Sequence, residues 1–364
     1  MKHARIAALV PSALLAVAAV AAAPPADAAA PDGAVYVLSN QAAGNAVVAY
    51  DRAADGTLSY DATYPTGGLG SGAGLGSQNS IVVDDSGRHV YAVNAGSDSV
   101  TAFDVTASGL AWTATVPSGG DQPVSVSVRG SLVYVLNAGA DGNVSAFRAT
   151  RGGALAPIAG STRPLSASVT GAAQVQISPD GKSLVVTEKA TSLLDVYRLL
   201  GNGLVASQDT VASEGSTPFG FDFTPAGDLA VSEAGPSATS TYDVHHGRIA
   251  TLDASVGNNQ AAACWVVVTD DGTFAYTGNG GGSQSISGYR VGAHAQLSLL
   301  DADGRTGTAA AGVSDIALSA GSEFLYARLG DGTIGAYGVG EDGSLSALPV
   351  AGGLPAGAQG IAAR

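Results

Sequence analysis

The chain has 364 residues and a net charge of −14, from 30 acidic against 16 basic residues. Only 13% of its residues are charged, 46% are hydrophobic and 51 are glycine. A disordered, highly charged chain, a long-helix protein rich in Glu and Lys, and a binder of the nucleic-acid phosphate backbone are excluded on these grounds.

In chain order, the first element is a short basic stretch from Met1 to Arg5, followed by an apolar run from Ile6 to Ala23. Pro24-Pro25-Ala26-Asp27-Ala28 then ends in an A-x-A pattern. This is the layout of a secretory signal peptide, with cleavage expected after Ala28 and an uncleaved anchor as the competing reading. Export to the extracellular side is therefore expected, with residues 29–364 as the mature domain. No later stretch reaches the ~20 apolar residues of a membrane span. Cys264 is the only cysteine, so no intrachain disulfide or cysteine metal cluster can form.

From Asp32 onward one pattern recurs: a β-run, a turn with Gly, a second run ending in Asn or Glu, then a third run. Ile81–Gly87 leads into Val90-Tyr91-Ala92-Val93-Asn94, and Val126–Gly130 leads into Val133-Tyr134-Val135-Leu136-Asn137. Further copies place second strands at Leu184–Glu188, Leu229–Glu233, Ala275–Asn279 and Leu325–Ala327. The aligned positions Tyr36, Tyr91, Tyr134, Val185, Ala230, Tyr276 and Tyr326 are spaced by 55, 43, 51, 45, 46 and 50 residues. That matches four-stranded propeller blades, not the much shorter repeats of a β-solenoid. The seventh copy is split: Asp32–Leu38 begins halfway through a repeat, and the missing first strand stands at Gln359–Ala363. The sequence predicts an all-β, seven-bladed propeller in one domain, its ring closed by the C-terminal strand in the N-terminal blade.

Starts of first strands and ends of second strands share one face at the axis. That face is expected to carry Asn79, Gln122, Gln174, Phe219, Trp265 and Asp315 from first strands. From second strands it is expected to carry Asn94, Asn137, Glu188, Lys189, Glu233 and Asn279. A concave mouth with convergent polar groups is the default place for a ligand. Asn94, Asn137, Gln174, Phe219, Trp265 and Asn279 are the expected binding residues; Glu188, Lys189 and Glu233 are the expected acid–base groups. The competing reading makes the asparagines local turn formers and the aromatics core.

Other signals are weak. His89, His245, His246 and His294 show no metal-ligand spacing, and adjacent His245 and His246 would point to opposite faces of a strand. No metal site and no cofactor are expected. Gly67–Gly76 lacks the G-x-G-x-x-G order, Asp301-Ala302-Asp303-Gly304 reads as an acidic turn, and Cys264 reads as a buried, inert thiol.

Several segments resemble the lactonase-like seven-bladed propeller family, which includes bacterial 6-phosphogluconolactonase and fungal carboxymuconate-lactonizing enzyme. They are Leu132–Gly139, Gly160–Leu165, Leu184–Lys189, Thr217–Phe221 and Ala263–Thr269. The Thr-Pro-Phe-Gly and Cys-Trp segments resemble a secreted, carboxymuconate-cyclase-like branch. The resemblance implies metal-independent acid–base chemistry on a lactone by a His, a Glu and an Arg near the axis. This chain departs from that set. The His position aligns with Gln174, the Glu position with Lys189 beside Glu188, and the Arg position with Ala234 beside Glu233. A second His position falls at Gln122–Val124, which contains none. Gln and Ala cannot do acid–base work at neutral pH.

The reading from sequence is therefore an exported, non-catalytic binding propeller with a small molecule, glycan or protein at the axial mouth. It is expected to be a monomer without nucleic-acid partners. The alternative is a diverged lactonase or cyclase using Glu188 or Glu233 as base and Lys189 for the oxyanion. A third reading is a cation-dependent module using the same carboxylates.

Overall fold

The computed structural model describes Met1 and residues 32–364, so the segment expected to be a signal peptide lies outside the described residues. The remainder forms seven antiparallel sheets of four or five strands arranged as propeller blades. Blade 1 combines Gly33–Leu38, Ala46–Arg52 and Leu58–Pro65 with the C-terminal strand Gln359–Ala363. That strand pairs with Gly33–Leu38, setting Ala363 opposite Val35 and Ile361 opposite Val37, so the ring closes as the split repeat predicts. Blades 2 to 7 follow in chain order, with innermost strands Ile81–Val83, Pro123–Arg129, Ala172–Ile177, Pro218–Phe223, Ala263–Val268 and Val313–Leu318. Blades 3 and 6 each carry a short extra outer strand, Arg163–Pro164 and Gly307–Thr308.

Burial explains why these sequences fold as blades. The second strands are nearly continuous runs of buried residues, since blades cover both of their faces. The outermost strands alternate toward solvent, as Leu58–Pro65 and Arg248–Gly257 show. Neighbouring blades are also buckled together by the repeat's tyrosine. Tyr134 of blade 3 donates to the Gly203 carbonyl of blade 4 at 2.8 Å. Tyr276 of blade 6 does the same to Gly343 of blade 7, and Tyr326 of blade 7 to Gly56 of blade 1, each at 2.9 Å. The acceptor glycines sit in third-to-fourth-strand turns at positive φ, where a side chain would also strike the preceding blade. Burial pushes all three phenols above their usual pKa, so they remain donors across the physiological range.

Candidate functional site

The face expected to hold the ligand is closed. The glycine-rich segment 66–77, between blades 1 and 2, runs across the axis at that end. The Ser77 carbonyl accepts the Trp265 indole N–H of blade 6 at 3.1 Å. Gln78 grips the Val266 backbone with both ends of its amide, at 2.7 and 3.1 Å, and donates its own N–H to Ala173 of blade 4. Lys189 donates to the Gly76 carbonyl, and the Leu75 N–H reaches Gln359 of blade 1. A segment leading into blade 2 is thus bonded to the inner strands of blades 1, 4 and 6, on opposite sides of the ring.

Asn40 staples this plug from below. It donates to the Ala73 carbonyl at 2.7 Å and accepts the Ser71 N–H at 2.9 Å. Gly70 packs so close that a Cβ there would lie 2.1 Å from the Asn40 carbonyl carbon. Gly70→Val is therefore expected to lift the plug off the axis. In a Trp112→Phe background, which removes the exposed tryptophan, the buried Trp265 should then become accessible to acrylamide and its emission should shift to the red. Unchanged quenching of Trp265 would count against the plug.

Most of the sequence-predicted polar residues at this end are engaged in hydrogen bonds, although Asn137 Oδ1 and Asp315 Oδ2 have no partner among the described residues. Asn94 accepts from Asn45 and donates to Ser99 and Thr101; Asn279 accepts from Asn258 and donates to Ser285 and Ser287. Asn137 donates to the Ser118 carbonyl and to Asn143. Glu188 accepts the Ser166 N–H and the hydroxyls of Ser166 and Thr191. Glu233 accepts from Ser213, Gly215, Ser240 and Ser255. Gln174 clasps the Phe221 backbone of the next blade through both N–H and C=O. These six polar residues are fully buried. Asn137, Glu188, Glu233 and Asn279 occupy one structural position: the end of a second strand, where the side chain holds the connector that enters the inner strand of the same blade.

Phe219 and Trp265 are buried and meet edge to face at 5.3 Å. The Lys189 ammonium lies 4.8 Å from the centre of the Phe219 ring, and burial lowers its pKa to about 8. Cys264, as expected, is a buried free thiol, and burial raises its pKa to about 11. The expected Glu188, Lys189 and Glu233 therefore do not line an open mouth. Beneath the surface, Glu188 shares the Ser166 N–H with Asp195, a carboxyl that sequence reasoning missed. Burial, with the Glu188 charge beside it, holds Asp195 up at about 6.

The axis is open at the opposite end, where the inner strands finish. A cavity of about 510 Å³ lies there, walled by the inner strands of all blades except blade 3. Its size falls in the range of small-molecule sites. Gln78 and Asn79 line it together with Gln176 and Asp222, and Asp84, Asp85, Asp270, Ser319 and Arg364 also contribute. Asp222 accepts from Gln176 of blade 4 at 3.0 Å and from the Val268 N–H of blade 6 at 2.9 Å, so one carboxylate fixes three blades. Burial raises its pKa. Asp84 is turned toward His89, whose Nδ1 lies 2.8 Å from it, and Asp270 accepts the Gly321 N–H. The wall is thus rich in carboxylates, with Arg364 the only basic residue among the described residues that line it.

Gln176 and Asp222 were missed in sequence because their strands read as core. The available signal was a polar residue in the middle of an otherwise apolar inner strand, in Val175-Gln176-Ile177 and Phe221-Asp222-Phe223.

The same fold occurs in solved structures of low sequence identity. A Lactobacillus plantarum protein is 17% identical with a TM-score of 0.75, covering 91% of this chain and 99% of that one. A putative 6-phosphogluconolactonase from Bacteroides uniformis is 18% identical with a TM-score of 0.72, covering 90% and 99%. The Pseudomonas aeruginosa periplasmic gluconolactonase PpgL is 18% identical with a TM-score of 0.71, covering 90% and 98%. No curated protein matches the chain in sequence. The family described as "Lactonase, 7-bladed beta-propeller" matches residues 29–163 and 141–247, together more than half of the chain, and the protein belongs to that family.

Proposed function

We propose that this protein is an exported, non-catalytic member of the lactonase propeller family that binds a small hydroxylated molecule, neutral or cationic, in its open axial cavity. The observation that carries this reading is the contrast between the two ends of the axis. Glu188 and Glu233 at one end are buried, held by several hydrogen bonds each and roofed by the segment 66–77. At the other end lies a cavity of ligand size, lined by Asp222, Gln176 and Asn79 and bounded by Gln78 where it meets the plug. Amides and carboxylates in a concave site match the hydroxyls of sugars and polyols. A wall with several aspartates and one arginine disfavours an anionic ligand such as a phosphorylated or carboxylated lactone. The basic and apolar N-terminal segment ending at Ala28 supports export.

The test is a panel of neutral, cationic and anionic sugars, polyols and sugar lactones, read by calorimetry and by lactone turnover on the same protein. Binding of a neutral or cationic member without turnover is expected. Asp222→Asn should weaken it about tenfold or more, through loss of a charge-assisted hydrogen bond. Ala320→Trp, at the exposed rim of the cavity, should block it without touching the core. Binding that survives both changes would remove the axial cavity from consideration. Turnover abolished by Asp222→Asn would instead make the protein a lactonase. The raised pKa of Asp222 in an open cavity is the one feature favouring that second reading.

A further inference from the structure

The turn that joins the third and fourth strands of blade 5 carries two adjacent histidines. His245 pairs with Arg248 across the strands, leaving His246 and Gly247 as a two-residue loop with φ of 49° and 78°. Positive φ at both central residues is the hairpin geometry that matches the twist of the strands. It also overturns the expectation that the two imidazoles diverge. Strand alternation ends at His245, and the left-handed backbone of His246 swings its ring alongside. The rings stack with centroids 4.0 Å apart and planes 23° from parallel.

The turn is fixed against blade 4. The Gly247 N–H donates to the buried Ser183 hydroxyl at 2.9 Å, and a side chain on Gly247 would collide with Arg198. This brings the histidines to Asp180, in the turn between the first two strands of blade 4. Asp180 is itself held: its Oδ1 accepts the Ser178 hydroxyl at 2.7 Å and the Lys182 N–H at 2.9 Å. Its Oδ2 faces His246 Nε2 at 4.0 Å. One donor atom from each of Asp180, His245 and His246 lies within 4.8 Å of the others. Lys182, 3.9 Å from Asp180 Oδ2, is the cation now nearest that oxygen. The other two mature histidines stand elsewhere: His89 is held by Asp84 and Asp104, and His294 lies in a separate loop of blade 6.

We propose that Asp180, His245 and His246 form a binding site for a divalent transition-metal ion of the zinc, nickel and copper group, bridging blades 4 and 5. Two imidazoles and one carboxylate suit borderline metals and not calcium or magnesium, which prefer oxygen donors only. The carboxylate's second oxygen is hydrogen-bonded to its own turn, which orients the free one. All three residues are solvent-exposed, so water fills the remaining coordination positions and the ion enters without rearrangement of the core. Because the ligands come from two blades, a bound ion fastens the blade 4–5 junction, and the folded state gains stability in proportion to its occupancy.

Tag-free protein stripped with a chelator tests this by titration with Zn²⁺ against a chromophoric competitor, and with Cu²⁺ by electron paramagnetic resonance. The expected result is one Zn²⁺ per chain, nitrogen coupling from two imidazoles in the Cu²⁺ spectrum, and a higher melting temperature with Zn²⁺ but not with Mg²⁺ or Ca²⁺. His245→Ala, His246→Asn and Asp180→Ala should each weaken binding about tenfold or more. His246→Asn is the decisive variant, because Asn is the residue that this turn prefers. It removes the ligand while keeping the fold, and its metal-free melting temperature should match or exceed that of the parent. Lys182→Ala should tighten binding by removing a competing cation. Failure to bind Zn²⁺ at about 100 µM, or binding that His246→Asn and His245→Ala leave unchanged, would overturn the site.

Discussion

Replacing Glu233 by alanine is expected to cost about 3–5 kcal/mol of stability, enough to threaten a typical domain. Glu233 is fully buried, and its carboxylate accepts from the Gly215 N–H at 2.7 Å and from the hydroxyls of Ser240 at 2.6 Å, Ser255 at 2.9 Å and Ser213 at 3.3 Å. Alanine leaves these donors facing a cavity. Removing one side of a buried polar network incurs the full desolvation penalty of the other. The connector from blade 4 into blade 5 is positioned by this carboxylate: a Cβ on Gly215 would lie 2.2 Å from Glu233 Oε2. Loss should therefore loosen the junction between those blades. Glu233→Gln keeps the acceptor toward Gly215 and Ser240, and Ser255 can turn its hydroxyl round to accept. Its cost should be about 1–2 kcal/mol. Urea unfolding of both variants measures the difference. Equal, small effects would show that the network is not what holds the connector. A stable Glu233→Gln protein that has lost a measurable hydrolytic activity would return the residue to a catalytic role.

The second large effect is a dependence of stability on pH centred on Asp315. Its carboxyl is buried at the start of the blade 7 inner strand, and burial raises its pKa to about 8, with Arg328 opposing the shift. Its Oδ1 accepts the Ile316 N–H, but Oδ2 and the Arg328 Nε have no hydrogen-bond partner among the described residues. In the unfolded chain the same carboxyl releases its proton near pH ~4. Between those two values the folded state retains a proton that the unfolded state has released. The contribution of Asp315 is therefore fully present below pH ~4 and declines as pH rises toward 8, by up to about 1.4 kcal/mol per pH unit. Asp315→Asn mimics the protonated form and carries no titrating group. Its stability should stay level over that range, so the variant should overtake the parent by a few kcal/mol at pH 8. Urea midpoints at pH 5, 6.5 and 8 measure this. Parallel profiles for the two proteins would rule Asp315 out as the source.

The outcome at the axis shows where sequence reasoning reached its limit. Strand direction correctly places Asn94, Asn137, Glu188, Glu233 and Asn279 at one end of the blades, since a four-stranded repeat leaves no freedom in that assignment. Whether that end is open depends on a loop with no repeat of its own. The segment 66–77 looks like a flexible glycine-rich connector. Its function as a plug arises from Asn40, Gln78 and Trp265, of which the last lies almost two hundred residues away in sequence. The histidine pair follows the same logic. Strand periodicity applies up to His245 and fails one residue later, because a tight hairpin requires the left-handed backbone that carries His246 back toward its neighbour.

The sequence by itself determined the all-β class, the seven blades and the closure of the ring by Gln359–Ala363, because each is written in a local period of hydrophobic runs and turns. Only the tertiary structure decided which end of the axis is open, which polar groups are already satisfied, and which side chains from different blades meet. Those outcomes depend on long-range contacts and on the competition for hydrogen bonds inside a closed ring. Asp222 illustrates the point: a single acidic residue in an apolar strand becomes a cavity wall only because blades 4 and 6 place Gln176 and Val268 on either side of it.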